Sequence, residues 1–238
     1  PCYKVTQHVL GVIAAIGPEV DTVYAVDDAC PDGSGRFIEE HNRDPRVRVL
    51  YHPQNKNKDD AIITAYKAAI ADGMDIVVKI DGDGQMNPAL LPQFVRPLLS
   101  GAADYTKGNR FFRPESVQGM PPLRLFGNAV LSFLTKLSCG YWNIMDPTNG
   151  YTAARTCVLA ELPLDKLEQR YFFETDMLFR LNTVRAVVKD VPMDAVYADE
   201  ESHLKVGKVL PEFLRKHASR LWRRYVYSYL VRDFNVGS

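Results

Sequence analysis

Cysteine is scarce in this sequence and never grouped. Cys2, Cys30, Cys139 and Cys157 stand apart with no C-x-x-C pair, which argues against a zinc ribbon or a disulfide-stapled scaffold and for a reducing compartment. No run of about 18 apolar residues is present, so nothing reads as a membrane-spanning helix, and no signal-peptide pattern opens the chain. Net charge is absent too: 29 Lys+Arg balance 29 Asp+Glu, so the total speaks for no nucleic-acid partner, although the charge is unevenly placed. Internal repeats, low-complexity stretches and a G-x-G-x-x-G dinucleotide motif are all missing. The chain starts at Pro1 rather than methionine and stops after "RDFNVGS", as a piece excised from a longer protein would.

What is present is 238 residues, 46% hydrophobic and 24% charged, enough for one α/β domain with an ordinary core. Short β-branched runs alternate with helical stretches. "TVYAVDD" (22–28), "RVRVLY" (46–51) and "DIVVKIDGD" (75–83) carry the signature of buried parallel strands. Helical spacing covers 5–16, 35–42 and the alanine-rich 61–71. Asn87 and Pro88 suit the cap and first position of a helix over 87–101. The second half is more helical, with amphipathic patterns over 121–140, 174–184 and 207–233. Strands separated by helices predict a mostly parallel sheet with helices on both faces. Ligands of such sheets sit at the carboxyl ends of the strands.

Two acidic clusters fall at such ends. Asp81 and Asp83 leave a strand at i and i+2, so in an extended segment both carboxylates face one side. Gly82 and Gly84 let the backbone turn. Like charges held together repel unless a cation joins them. Hard oxygen donors, with Gln85 supplying another, suit Mg2+ or Mn2+ bridging to a diphosphate. A bare Asp-Gly turn is the alternative. An EF-hand is excluded, because Met86 and Pro92 stand where glycine and glutamate are required. The second cluster, Asp27 and Asp28 in "YAVDDACPDGSG", suits hydrogen bonding to a nucleoside, or else a local turn.

"PCYKV", "VDDACPDGSG", "KIDGDGQMNP", "DYTKGNRF", "DPTNGYTAAR" and "YFFETDML" occur in the order and spacing of family 2 glycosyltransferases. Over residues 1 to about 206 the chain most resembles the dolichyl- or polyprenyl-phosphate sugar synthase branch. The resemblance implies a GT-A fold (the nucleotide-diphospho-sugar transferase fold), a nucleotide-sugar donor such as GDP-mannose or a UDP-sugar, a divalent metal, Mg2+ or Mn2+, and inversion at the anomeric carbon. By position it makes Asp81, Asp83 and Gln85 the metal site. Pro1, Tyr3 and Asp28, with Asp81, line the nucleotide. Arg110 and Arg124 resemble the arginines near the phosphates. Lys205 and Lys208 of "SHLKVGK" sit where the family keeps a basic loop and become phosphate clamps.

Asp176 and Glu174 of "FFETD" are the candidate general bases if the acceptor is a hydroxyl. A lipid phosphate is already ionised and needs none, and Glu174 would then orient its neighbours. An acidic first helical turn gives the same letters. Asp146 and Asn149 of "DPTNGY" border the acceptor side or form a turn.

Two segments depart from the family pattern. Lys4 and Val5 follow Tyr3 where Asn-Glu is usual. "KNKDDA" (56–61) replaces a glycine-rich stretch, and charged side chains there are expected to hold the backbone off the donor. Such domains also open with a central strand ahead of "PCY".

From 205 to 232 eight Lys/Arg face one acid, Glu212, with Phe213, Trp222, Tyr225, Tyr227 and Tyr229 interleaved. That mixture suits the headgroup layer of an anionic membrane. Nucleic acid would also accept it, but no recognition motif is present, and a packed helix with a solvated cationic face is the plain alternative. The expected organisation is a catalytic domain over 1–206 and a basic, amphipathic, membrane-proximal helix over 207–238, with transmembrane helices following. The expected function is a metal-dependent inverting glycosyltransferase acting on a polyprenyl phosphate at the cytoplasmic membrane face, in cell-envelope glycan biosynthesis. Its rivals are an enzyme with a glycan hydroxyl acceptor and a non-catalytic nucleotide-sugar-binding module.

Overall fold

Val23–Asp27 (β1) and Val47–Tyr51 (β2) pair in parallel, with Val23 opposite Val47 and Asp27 opposite Tyr51. The computed structural model describes residues 1–112, 122–194 and 206–232. A second sheet of four strands has the order β3-β5-β4-β6, formed by Ile76–Lys79 (β3), Tyr105–Asn109 (β4), Thr152–Arg155 (β5) and Val188–Pro192 (β6). β4 and β6 are parallel, whereas β5 runs antiparallel to both of its neighbours. The three last strands went unread in the sequence, and β5 is the exception to the parallel expectation. Beside β1 the chain start makes one parallel bridge, Cys2 to Asp27, with the Cys2 N–H donating to the Val26 carbonyl at 2.7 Å.

The helices follow the periodic segments closely. They are Val9–Ala14 (α1), Ser34–His41 (α2), Lys58–Ala71 (α3), Leu91–Leu99 (α4), Pro122–Cys139 (α5), Thr156–Ala160 (α6), Phe173–Thr183 (α7) and Val206–Tyr225 (α8), the last continuing in π-helical turns to Arg232. Asn87 caps as expected, its side-chain oxygen accepting from Ala89 N at 3.0 Å, but Pro88–Leu90 forms a 3-10 turn before α4 begins. α3 starts three residues earlier than its alanine-rich core suggests. The reason is Asn57, whose side-chain oxygen accepts from the N–H groups of Asp59 and Asp60 and satisfies two orphan donors.

The main core is built by α3, α7 and the second sheet through Ile62, Tyr66, Tyr105, Phe173, Met177 and Leu181, all buried. Each such side chain contributes roughly 1.5–3 kcal/mol on burial. α8 is part of this body rather than an appendage. His217 and Arg220 are buried in it, and the His217 ring lies against Phe172 and Phe213 while its Nδ1 sits 2.8 Å from Ser138 Oγ of α5.

Candidate active site

β3 ends at Lys79, and the chain turns through 80–86 at the strand's carboxyl end. Asp81 and Asp83 are therefore placed by a turn, not by an extended segment as their spacing suggested. Asp83 Oδ1 accepts from the Gln85 N–H at 3.0 Å, and Gly84 has φ +80°. At Gly82 a Cβ would come within 3.3 Å of both the Pro1 carbonyl and Val5 Cγ2. The chain start thus rests on the acidic turn, which brings Pro1 to Asp81 with the exposed Tyr3 close by in sequence.

Asp81 is buried, and two lysines meet it. Lys58 Nζ, from the first turn of α3, donates to Oδ2 at 2.7 Å; Lys79 Nζ, from β3, lies 3.6 Å from Oδ1 and 3.9 Å from Glu174 Oε1. Burial alone would raise the Asp81 pKa, but Lys79 and Lys58 hold it below the usual carboxylate range. Burial would lower the Lys58 pKa, and the Asp81, Glu174 and Asp83 carboxylates outweigh it and raise the value. Lys79 Nζ and Asp81 Oδ1 are both buried without a hydrogen-bond partner among the described residues. Gly150 presses on this pair, because any Cβ there would collide with Lys79 Nζ. Neither lysine was singled out from sequence. The signal for Lys79 was its charge inside the apolar run "VVKID", which only a buried counter-ion justifies.

The acidic turn fits a hard dication in one specific sense. Among the described residues no three His, Cys, Asp or Glu side chains converge to hold an ion. Asp81 Oδ1 is an orphaned buried acceptor, however, and Asp83 stands two residues on. Two carboxylates with a ligand diphosphate completing the shell suit Mg2+ or Mn2+.

The other acidic cluster is spent on the scaffold. Asp27 accepts from Cys30 N at 2.7 Å and Gly35 N at 2.5 Å, closing the turn into α2. Asp28, expected against the nucleotide, is also buried. Its Oδ1 meets His52 Nδ1 at 2.7 Å and Lys56 N at 2.9 Å, and its Oδ2 accepts from Asn57 N at 2.8 Å. With both oxygens engaged, Asp28 shapes the 52–57 loop instead of facing a ligand. In that loop Asn57 adopts φ +103°, a conformation that glycine would take, and Lys58 turns inward to Asp81.

"ETD" splits into two roles. Glu174 is half-buried and faces Lys79 beside Asp81. Asp176, the other candidate base, is wholly buried on the far side of α7. It accepts from Arg220 Nε at 2.5 Å, Arg180 Nε at 2.9 Å and Glu168 N at 3.0 Å. A carboxylate between two guanidinium groups and sealed from solvent is not available to take a substrate proton. Arg110 forms a bidentate pair with the buried Asp146, Nε to Oδ2 and Nη2 to Oδ1, both at 2.7 Å. Asp146, at φ +52°, also accepts from Asn149 Nδ2 at 3.0 Å. The "DPTNGY" turn therefore fixes the arginine. Lys205 and the side chains of Arg124 and Lys208 lie outside the described residues.

The basic tail is less free than its composition suggests. Lys216 pairs with Glu168 and Glu212, Arg220 with Asp176 and Glu168, and Arg224 donates to the Leu137 carbonyl. Arg215 and Arg223 stay exposed, together with Leu214, Leu221, Trp222, Tyr225 and Tyr229.

Comparison with known proteins agrees with this geometry. The chain is 31% identical over 189 residues to an undecaprenyl-phosphate mannosyltransferase from Micrococcus luteus, covering 79% of this chain and 76% of that one. It is 26% identical over 213 residues to a UDP-N-acetylglucosamine–dolichyl-phosphate N-acetylglucosaminyltransferase from Methanococcus voltae, covering 84% of each. Among solved structures, mannosyl-3-phosphoglycerate synthase from Rubrobacter xylanophilus superposes with a TM-score of 0.70 at 20% identity, over 98% of this chain and 75% of that one. Glucosyl-3-phosphoglycerate synthase from Mycobacterium tuberculosis, solved with Mn2+, UDP-glucose and phosphoglyceric acid, gives 0.63 at 20% identity over 94% and 77%. These likenesses place the fold in the GT-A class. The model of glycosyl transferase family 2 matches residues 3–162, a span that includes the acidic turn, Lys58, Lys79 and Arg110, and the chain belongs to that family.

Proposed function

We propose that this chain is an inverting glycosyltransferase moving a sugar from a nucleotide-diphosphate donor to a polyprenyl phosphate at the cytoplasmic face of a membrane. The observation that carries the acceptor choice is the commitment of Asp176 to Arg180 and Arg220. Glu174 is then the one carboxylate of "ETD" turned toward Asp81, and Lys79 already stands 3.9 Å from it. A hydroxyl nucleophile requires a base, whereas a phosphate oxygen ionised at neutral pH does not. The names of the mannosyl- and N-acetylglucosaminyltransferase relatives point the same way.

On this reading Asp81 and Asp83 mark the diphosphate end of the donor, with Pro1 and Tyr3 toward the nucleoside. The acceptor oxygen attacks the anomeric carbon in line, from the face opposite the departing diphosphate. Lys58, held beside Asp81 at 2.7 Å, meets negative charge as it gathers on the leaving group. A Mg2+ or Mn2+ ion held by Asp81 and Asp83, with Gln85 beside them, would supply further neutralisation of that diphosphate. Arg110, oriented by Asp146 and about one-third exposed along its side chain, suits the acceptor phosphate, and Arg124, Lys205 and Lys208 are assigned to the same phosphates.

Support for a membrane surface comes from exposed apolar side chains: Phe126, Val130 and Phe133 on α5, and Leu214, Leu221, Trp222 and Tyr225 on α8. No helix among the described residues is long and apolar enough to cross a bilayer. A glycan hydroxyl acceptor, with Glu174 as base, is the second reading, supported by the position of Glu174 opposite Asp81.

Thermal stabilisation by UDP or GDP with Mn2+, followed by transfer from matching donor sugars to undecaprenyl phosphate, tests the proposal. Asp83→Ala is expected to abolish the metal-dependent stabilisation. An unchanged shift in that variant, or transfer to a glycan hydroxyl in preference to the lipid phosphate, overturns the respective part.

A further inference from the structure

The charged loop that stands where the family pattern has glycines is tied to a turn more than a hundred residues away. Gln169 is the link: its Nε2 donates to Asp60 Oδ2 at 3.0 Å, and its Oε1 accepts from Asn57 Nδ2 at 3.1 Å. Asn57 Nδ2 also reaches Asp60 Oδ2 at 3.2 Å, and the Arg170 N–H donates to the buried carboxylate of Asp59. Both sides carry backbone that non-glycine residues avoid, φ +103° at Asn57 and +61° at Arg170. Such conformations persist where surrounding contacts over-determine them. Each side leads into a residue of the site. Lys58 comes after Asn57 and holds Asp81. The turn Arg170–Phe172 leads straight into α7 and Glu174.

We infer that Asn57, Asp60 and Gln169 form a side-chain clasp that positions the two halves of the site, fixing Lys58 on Asp81 and setting Glu174 opposite it. This rests on the reading of Asp81 as the donor-diphosphate residue. The three are positioning residues, acting through Lys58 and Glu174. A glycine-rich loop can adapt to the donor as it binds. Here the polar replacement sets the loop geometry in advance, with the Asn57 N–H additionally pinned by Asp28.

Gln169 is exposed, so its substitution leaves the core intact. Gln169→Glu sets a second carboxylate against Asp60 and removes the amide donor. Combining it with Asp60→Asn exchanges the two groups and restores a donor–acceptor pair. Calorimetry with Mn2+–UDP and Mn2+–GDP on the full chain is expected to show roughly tenfold weaker nucleotide binding in Gln169→Glu, the scale of one hydrogen bond to a charged group. Amide exchange should accelerate at 56–60 and 168–172 together, and the exchanged pair should return both readouts toward the parent. Parent-like affinity and exchange in Gln169→Glu, or no recovery in the double variant, overturns the clasp. A parent protein that binds neither nucleotide with Mn2+ refutes the donor-site reading instead, and the exchange result alone then decides the clasp.

Discussion

Asp176→Asn replaces a buried anion between two arginines with a neutral amide of the same shape. The parent carboxylate has no exposed side-chain area and accepts from Arg220 Nε at 2.5 Å and Arg180 Nε at 2.9 Å. Removing one member of a buried ion pair costs about 3–5 kcal/mol, because the remaining charges stay buried without compensation. Arg220 keeps Glu168, at 2.8 Å, and Arg180 keeps the Lys166 carbonyl, which puts the loss near the lower end, about 3 kcal/mol. For a domain of this size each kcal/mol moves Tm by roughly 2–4 °C, so a fall of about 6–12 °C is expected in thermal unfolding at neutral pH. Glu174→Gln is the control: it is half-buried and outside that network, so its Tm should stay within about 2 °C of the parent. If Asp176 were the proton acceptor, the outcome would invert. An Asp176→Asn protein with parent-like Tm and abolished transfer would refute the structural assignment.

His217 makes stability depend on pH. Burial among Phe172, Phe213 and α5 lowers its pKa from 6.5 to about 4, so the folded state favours the neutral ring. That contribution is complete above the unfolded value of about 6.5 and is lost as pH falls toward 4, by up to about 3 kcal/mol. Urea unfolding from pH 7 to 4 should show a shallower decline in His217→Leu than in the parent, and parallel curves would count against the assignment. Lys58→Met should lower Tm by less than Asp176→Asn does, since the lysine is half exposed and Lys79 stays 3.6 Å from the buried Asp81. Its affinity for Mn2+–nucleotide should nevertheless fall about tenfold by calorimetry, the scale of a lost charged contact, and undiminished binding would remove Lys58 from the donor side.

The readable parts of the sequence were those whose signal is local. "TVYAVDD" and "DIVVKID" show their strands because β-branched residues crowd them, and the Asp-Gly-Asp-Gly turn lies where the third strand runs out. β4 stayed hidden because "YTKGN" carries a lysine in a wholly buried strand. Lys107 survives there only by donating to the carbonyls of Gly108 and Met145 beside Asp190, partners that arrive from distant segments. β5 holds two alanines and lacks the bulky residues that announce a strand. The site divides in the same way. "VDD" and "ETD" display acids but not the groups that will satisfy them. Asp28 is filled by a histidine and two amides from the next loop, and Asp176 by an arginine 44 residues on. Lys58 went unnoticed because nothing in "KNKDDA" shows that Asn57 takes an unusual backbone and turns the next side chain onto Asp81.

The arginine and lysine of α8 that reach into α7 and the 168 turn also limit how the last helix can behave. Peeling it away would strand Glu168 without either of its counter-charges and leave the buried Asp176 with Arg180 alone, so the helix cannot serve as a slack leash. The outward aromatic side of α8 and the turn that leads into Glu174 therefore travel as one piece.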